Sequence, residues 1–337
     1  MMFRTCLIAL GILGLGLTLR AQPTKAPTAD DVKALQAKYR AERDAIIKAG
    51  IAKRFLPAIM DKAEELAKKS EGALAGGRLL QASEAIRQAR WQLPYQPVGV
   101  PDHVSRIIGN LRLRHSGEIN ILAYSPDATR LATASNDGTV RIWDLGNGHE
   151  IVAYTGHTDK VKCLVWGPGG DFIVSAGMEK NIKIWDPKTG KDKQTIQAVG
   201  LYVNSLALSK DGKHLFTGQQ NVPGNPPNGL FVYEAATGKL VREARDFPNK
   251  IGAMAVTQEG NIVATGDDNG NVRLWQYPSF VENVNQPAYW TQQDPTGATY
   301  QLAFSPDGKT LARVGPLGVK LYVTPLPGAP FQVGAPR

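Results

Sequence analysis

The stretch LATASNDGTVRIWD, residues 131–144, constrains this chain most, because variants of it return downstream at a nearly fixed interval. Within it, residues 131–133 and 140–143 are apolar or β-branched runs. The cluster Ser135-Asn136-Asp137-Gly138 between them has hairpin-turn chemistry, so the stretch reads as two antiparallel strands. The copies align on the residue that closes the preceding strand: Tyr124, Trp166, Leu208, Val256 and Phe304, spaced by 42, 42, 48 and 48 residues. Nine positions later come Thr133, Ser175, Thr217, Thr265 and Arg313, and the hairpins end at Trp143, Trp185, Tyr233, Trp275 and Tyr322. Only the third copy stretches its hairpin, by six positions around residues 221–227, and the fifth shortens its own by one. Recurrence at roughly 40–50 residues marks a propeller or solenoid, whose units bury their apolar faces only against neighbours.

The residues also carry a family resemblance. His115…Trp143-Asp144 and Gly156-His157…Trp185-Asp186, with the turns Ser125-Pro126-Asp127 and Ser305-Pro306-Asp307, look like WD40 repeats over residues 107–324. The resemblance implies a mainly β fold: a propeller of five recognisable blades, as a closed ring or an open arc, preceded by a small α-helical region. It also implies a buried tetrad of His, Asp, Ser/Thr and Trp in each blade, because buried polar groups need partners. Repeat one supplies His115, Asp137, Thr133 and Trp143. Repeat two supplies His157, Ser175 and Trp185, with Glu179 in place of the Asp. Repeats three to five have Val199, Phe247 and Pro295 where the His belongs, and repeat four has Asn269 for the Asp, so these blades are expected to rely on packing. In such an arrangement the strand at 107–113 is the outer strand of the last blade, donated from the N-terminal side. Pairing beside 319–323 would close the ring at five blades, which this strand favours over an open arc.

Ahead of the repeats the composition changes. Residues 1–21 combine a short start bearing Arg4 with a run of about 14 apolar or small residues, the build of a secretory signal peptide and too short to span a bilayer. The expected location is therefore exported, periplasmic or extracellular, with an uncleaved membrane anchor as the alternative and no transmembrane span after signal removal. Together with the resemblance, this implies an exported WD40 chain of bacterial type with an N-terminal helical region. A linker at 22–27 leads into residues 28–93, rich in helix formers. Thr28 is the plausible cap of a first helix with Val32, Leu35, Tyr39 and Ile46 on one face, and Leu56, Ile59, Ala63 and Leu66 mark a second. Leu79, Ala82, Ile86, Ala89 and Leu93 mark a third; the whole is a helical hairpin or three-helix region, with a faint similarity to a tetratricopeptide hairpin. A Pro-rich connector at 94–106 and a Pro/Gly-rich tail at 325–337 flank the repeats.

Charge and motifs narrow the function. The formal charge of +9 becomes +7 once Arg4 and Arg20 leave with the signal, and the remaining basic residues are scattered. That pattern lacks a nucleic-acid footprint, so no nucleic acid is expected. Cys6 would leave with the signal, and Cys163 in its apolar strand reads as a small buried hydrophobe. No GxSxG, HExxH, P-loop or dinucleotide fingerprint is present, and no catalytic residue, cofactor or metal is expected. His149 and His214 read as solvated loop residues, and Asp127, Asp211 and Asp307 as turn formers. The reading that follows is a non-enzymatic protein-protein interaction scaffold. Its propeller loop face would hold a protein or peptide, with Asn221, Val222, Pro223 and Asn225 as the candidate partner-binding loop. The helices would serve as a second docking or oligomerisation element. The alternative is a propeller enzyme acting on a glycan or other small substrate at the channel mouth.

Overall fold

Capping chemistry starts the first helix where the sequence places it. Thr28 Oγ1 accepts from the Asp31 N–H at 3.2 Å while the Asp31 carboxylate accepts from the Thr28 N–H at 2.8 Å, a reciprocal capping box at the head of α1 (Ala29–Lys48). In this computed structural model, residues 27–54, 57–94, 113–220, 228–283 and 286–325 are described. The chain divides into two compact units, Met1–Gly109 and Asn110–Arg337. The expected signal segment, nearly all of the connector, the strand at 107–112 and most of the tail lie outside the described residues.

In the first unit, α2 (Pro57–Ala75) and α3 (Leu79–Gln92) follow, turning through Gly77 at φ +71°, a conformation that favours glycine. Tyr39, Ile46, Ala63, Ile86, Ala89 and Leu93 form the core between the helices. Most of its polar groups are matched, the buried Tyr39 hydroxyl being the exception among the described residues. Gln36 donates to Ser70 Oγ at 3.0 Å, Ser70 donates to the Ala82 carbonyl at 2.8 Å, and buried Arg90 makes a two-pronged pair with Glu42 at 2.8 and 2.7 Å. Among the described residues no helix is long and apolar enough to cross a membrane.

The second unit is a five-bladed β-propeller built from antiparallel sheets. Blade 1 is β1 (Ile119–Tyr124), β2 (Arg130–Ser135), β3 (Val140–Asp144) and β4 (Glu150–Tyr154); blade 2 is β5 (Val161–Trp166), β6 (Ile173–Gly177), β7 (Asn181–Trp185) and β8 (Asp192–Gln197). Blade 3 is β9 (Tyr202–Leu208), β10 (His214–Gln220), β11 (Asn228–Glu234) and β12 (Leu240–Phe247). Blade 4 is β13 (Ile251–Val256), β14 (Ile262–Asp267), β15 (Asn271–Gln276) and β16 (Trp290–Gln293). Blade 5 has three strands among the described residues: β17 (Gln301–Phe304), β18 (Thr310–Gly315) and β19 (Gly318–Val323).

One register serves all five blades. Tyr124 faces Leu131, Trp166 faces Ile173, Leu208 faces Leu215, Val256 faces Val263, and Phe304 faces Leu311. In the next hairpin Leu131, Ile173, Leu215, Val263 and Leu311 face Trp143, Trp185, Tyr233, Trp275 and Tyr322. A one-residue slip would turn every side chain to the opposite face, so the different packing of the two faces enforces this pairing. The acidic turn formers act locally: Asp127, Asp211 and Asp307 accept from the hydroxyls of Ser125, Ser209 and Ser305 at 2.5, 2.6 and 2.6 Å. The extra length between blades 4 and 5 contains α4 (Ser279–Glu282), which the sequence reading did not foresee. It seats Phe280 against Trp275 with ring centroids 4.6 Å apart.

Contacts run from each innermost strand to the next: β1 to β5, β5 to β9, β9 to β13 and β13 to β17. Among the described residues no contact of that extent joins β17 to β1. The closing strand expected at 107–113 falls almost wholly outside the described residues, so the expected closure beside 319–323 is not among the described contacts.

Candidate interaction face

Each blade carries a polar plug behind its inner hairpin. In blade 1, His115 Nδ1 lies 3.0 Å from Asp137 Oδ2, His115 Nε2 lies 2.7 Å from Thr133 Oγ1, and the Trp143 indole N–H donates to Thr133 Oγ1 at 2.8 Å. Burial of the imidazole outweighs the pull of Asp137 and holds its pKa below the ordinary value. Burial opposes ionisation of Asp137 as well. Hydrogen bonds from Thr139 and the Ser116 N–H, with His115 alongside, still keep it well below the usual carboxylate range. A neutral His115 beside an ionised Asp137 keeps its proton on Nδ1, leaving Nε2 to accept from Thr133.

Blade 2 repeats the chain of bonds with a longer acid. His157 Nε2 sits 2.7 Å from Ser175 Oγ, the Trp185 indole donates to Ser175 at 3.0 Å, and His157 Nδ1 meets the Glu179 carboxylate. Glu179 also accepts from the Thr158 hydroxyl, and these bonds outweigh burial to bring its pKa down to about 2. The added methylene is thus accommodated by the turn.

Blades 3 and 5 correct the expectation that packing alone replaces the His. In blade 3, Gln219 donates to Thr217 Oγ1 at 2.7 Å and to Tyr233 Oη at 2.9 Å and accepts from the Gly200 N–H at 2.6 Å. The backbone N–H of Val199, at the His position, donates to Tyr233 Oη at 3.1 Å. In blade 5, Arg313 occupies the Thr position and donates to Asp294 Oδ2 at 2.6 Å and Thr299 Oγ1 at 2.9 Å, with the Gly297 carbonyl also against it. Lys320 and Tyr322 complete the shell around Asp294 at 2.8 and 3.2 Å. Blade 4 is nearest the expectation. Trp275 still donates to Thr265 at 3.0 Å, but Phe247 fills the His position and packs on Trp275 at 6.1 Å. Its carboxylate is Asp267, two residues before Asn269, accepting from the Asn269 and Asn271 N–H groups at 3.0 and 2.9 Å.

These plugs brace one end of the propeller, where the turns between the second and third strands of each blade lie beside the segments leading into the innermost strands. Exposed Lys160, Lys180, Leu201 and Leu317 stand there. Lys162 donates to Asn136 and Asn120 at 2.9 and 3.1 Å, and Lys250 pairs with Asp268 at 3.4 Å. The candidate loop residues Asn221, Val222, Pro223 and Asn225 lie outside the described residues, but their anchors do not. Gln220 accepts at its carbonyl from the Leu201 N–H at 3.0 Å, and Asn228 opens β11, so the loop leaves from this same end.

Other expected candidates resolve into structure. The Cys163 thiol is buried, donates to the Ala176 and Val203 carbonyls at 3.5 Å, and has its pKa pushed up by burial. His214, expected as a solvated loop residue, instead opens β10 with Nδ1 2.8 Å from Tyr277 Oη. The buried carboxylates Asp137, Glu179, Asp267 and Asp294 are each engaged inside their own blade. Among the described residues no group of three or more His, Cys, Asp or Glu is placed to hold a metal.

Antiparallel blades repeated in one register, with a Trp-Thr-His-Asp relay in blade 1 and its Trp-Ser-His-Glu variant in blade 2, define the class: a β-propeller with WD40-like blades. The WD40 model, described as WD domain, G-beta repeat, matches residues 109–144, 148–186 and 238–276, so the chain carries WD40 repeats. The three matches end on Asp144, Asp186 and Gln276, one residue beyond a tryptophan, whereas the unmatched repeats close on Tyr233 and Tyr322. The chain is 23% identical to a guanine nucleotide-binding protein subunit beta of Arabidopsis thaliana over 167 residues, 48% of this chain and 33% of that protein. A subunit beta from Oryza sativa subsp. indica is 22% identical with the same coverage. Periodic tryptophan protein 2 of Saccharomyces cerevisiae is 32% identical over 199 residues, 59% of this chain and 20% of that protein. The matches span about a third or less of these relatives' lengths.

Proposed function

We propose that the chain is a non-enzymatic interaction scaffold, exported from the cytoplasm, whose propeller loop face holds a protein or peptide. The observation that carries this reading is the braced loop end. Polar plugs in blades 1, 2, 3 and 5 and the Trp275–Thr265 bond of blade 4 fix the hairpins from beneath, while Lys160, Lys180, Leu201 and Leu317 remain open to solvent beside the anchors of the 221–227 segment. A rigid support under variable loops is the arrangement on which binding surfaces are built. That the plant relatives are by name subunits of a larger protein fits the same role.

The test is capture from an envelope fraction using the mature chain, compared with a chain lacking residues 222–227 and one lacking 28–93. Loss of a captured partner on loop deletion, with the melting temperature unchanged, supports the loop face as the docking surface. Capture that is indifferent to the loop but lost with the helices transfers the role to the helical unit. Export is tested separately by the N-terminal sequence of protein recovered outside the cytoplasm, which should begin near residue 22.

A further inference from the structure

Every junction between blades is built from the same two halves. The side of blade 1 turned to blade 2 presents Ala132, Ala134, Val140 and Ile142; blade 2 answers with Leu164, Trp166, Ile173 and Trp185. The later junctions repeat the scheme with their own side chains. Because the register is common, the equivalent positions on blades 1 and 5 follow directly. Leu122 and Tyr124 of blade 1 stand where Leu164 and Trp166 stand in blade 2. Val319 and Leu321 of blade 5 stand where Val140 and Ile142 stand in blade 1.

Their exposure differs sharply from that of their counterparts. Leu122 and Tyr124 are 49% and 61% exposed, against 3% and 6% for Leu164 and Trp166. Val319 and Leu321 are 56% and 55% exposed, against 0% for both Val140 and Ile142. The first blade thus offers one half of a junction to solvent and the last blade the other. The polar contact has its counterpart as well: Trp166 Nε1–H donates across its junction to the Ala123 carbonyl at 3.0 Å. Tyr124, with a hydroxyl donor, and Ala303 hold those two positions at the free ends.

We propose that the two ends bind one another between copies, blade 5 of one chain seating blade 1 of a second copy, head to tail. Exposed apolar patches of this kind mark association surfaces. Four internal junctions specify what covers each half, namely a blade of this same type in this register. Among the described residues, β17 and β1 make no contact of the extent that joins every other pair of neighbouring blades, and the side chains named above stay exposed. Such an interface is heterologous, the two surfaces being different patches, so growth continues unless the rotation closes it. Blade 5 has no fourth described strand to supply what Tyr154, stacked on Trp185 at 4.3 Å, supplies between blades 1 and 2.

The test is sedimentation velocity of the full chain from about 1 to 100 µM, a range that brackets dissociation constants of this order. The expected result is concentration-dependent association that Leu122→Arg and Leu321→Arg each weaken at least about tenfold, as loss of an interface anchor does. Mixing the two variants should restore a one-to-one complex, because each retains the half that the other lacks, and that complex should not grow further. Restoration also shows that both variants are folded. A wild-type chain that stays monomeric throughout, single variants that associate like wild type, or a mixture that fails to recover would overturn the proposal. So would a monomer in which cysteines placed at 122 and 321 cross-link within one chain.

Discussion

Blades 1 and 5 share a register and a core position for each strand, yet their buried polar plugs are wired in opposite senses. In blade 1 the segment before the first strand brings an imidazole, His115, and the hairpin turn brings the carboxylate, Asp137. In blade 5 the preceding segment brings the carboxylate, Asp294, and the second strand brings the cation, Arg313. Blade 3 solves the same problem with a neutral set, Gln219, Thr217 and Tyr233. The plug of a blade is therefore defined by matched donors and acceptors, and it does not require a particular chemistry to match them.

The comparison breaks most readily at blade 5. Asp294 and Arg313 side chains are both 1% exposed, so Asp294→Ala leaves a buried guanidinium without its carboxylate and should cost about 3–5 kcal/mol. Chemical denaturation measures this, and a loss no larger than that of the blade 1 variant would show that the charged plug is not specially demanding. Asp137→Ala in blade 1 should cost about 1–3 kcal/mol, the penalty for stranding buried donors. The pH profile separates the plugs by chemistry. Since the folded state holds His115 below its ordinary 6.5, its contribution is complete above that pH and is lost as the pH falls and the unfolded chain takes up the proton. The melting temperature should fall between pH 7 and 5, and His115→Gln should flatten that fall, whereas Gln219→Leu in the neutral plug should leave the slope unchanged. At the small end, Asn269→Ala should change stability by no more than about 0.5 kcal/mol, as exposed substitutions do. The Asn269 backbone N–H, rather than its side chain, makes the recorded bond to Asp267. A cost equal to that of Asp137→Ala would mean that Asn269 has replaced the tetrad acid after all.

Much of the fold was legible because strand pairing leaves a periodic trace. The five residues taken as ends of the first strand, Tyr124, Trp166, Leu208, Val256 and Phe304, are the last residues of β1, β5, β9, β13 and β17. Thr28 and the apolar face of α1 were readable for the same reason, since capping and helical spacing are local. The plug of blade 5 was not readable. Aligning by position places Pro295 at the His site and so passes over Asp294 one residue earlier, while Arg313 reads as a misfit in a Thr position until its reach to Asp294 is seen. Gln219 leaves no signal in the repeat alignment either, being two residues beyond Thr217 and defined only by what its amide touches. The α4 turn is too short for a periodic signal, and its length was visible only as a longer spacing before Phe304.

The sequence of junctions from blade to blade has a consequence for how the chain acquires its structure. Each extensive contact between blades joins neighbours one repeat apart, so no junction among the described residues waits for the two ends of the unit to find each other. The loops that must close during folding stay short, and their entropic cost rises only slowly with length. Folding can begin in any blade and spread outward, as in linear arrays, and low sequence separation of contacts favours speed. A chain wired in this way can assemble in the order in which it is made, each blade docking on the finished face of the one before it.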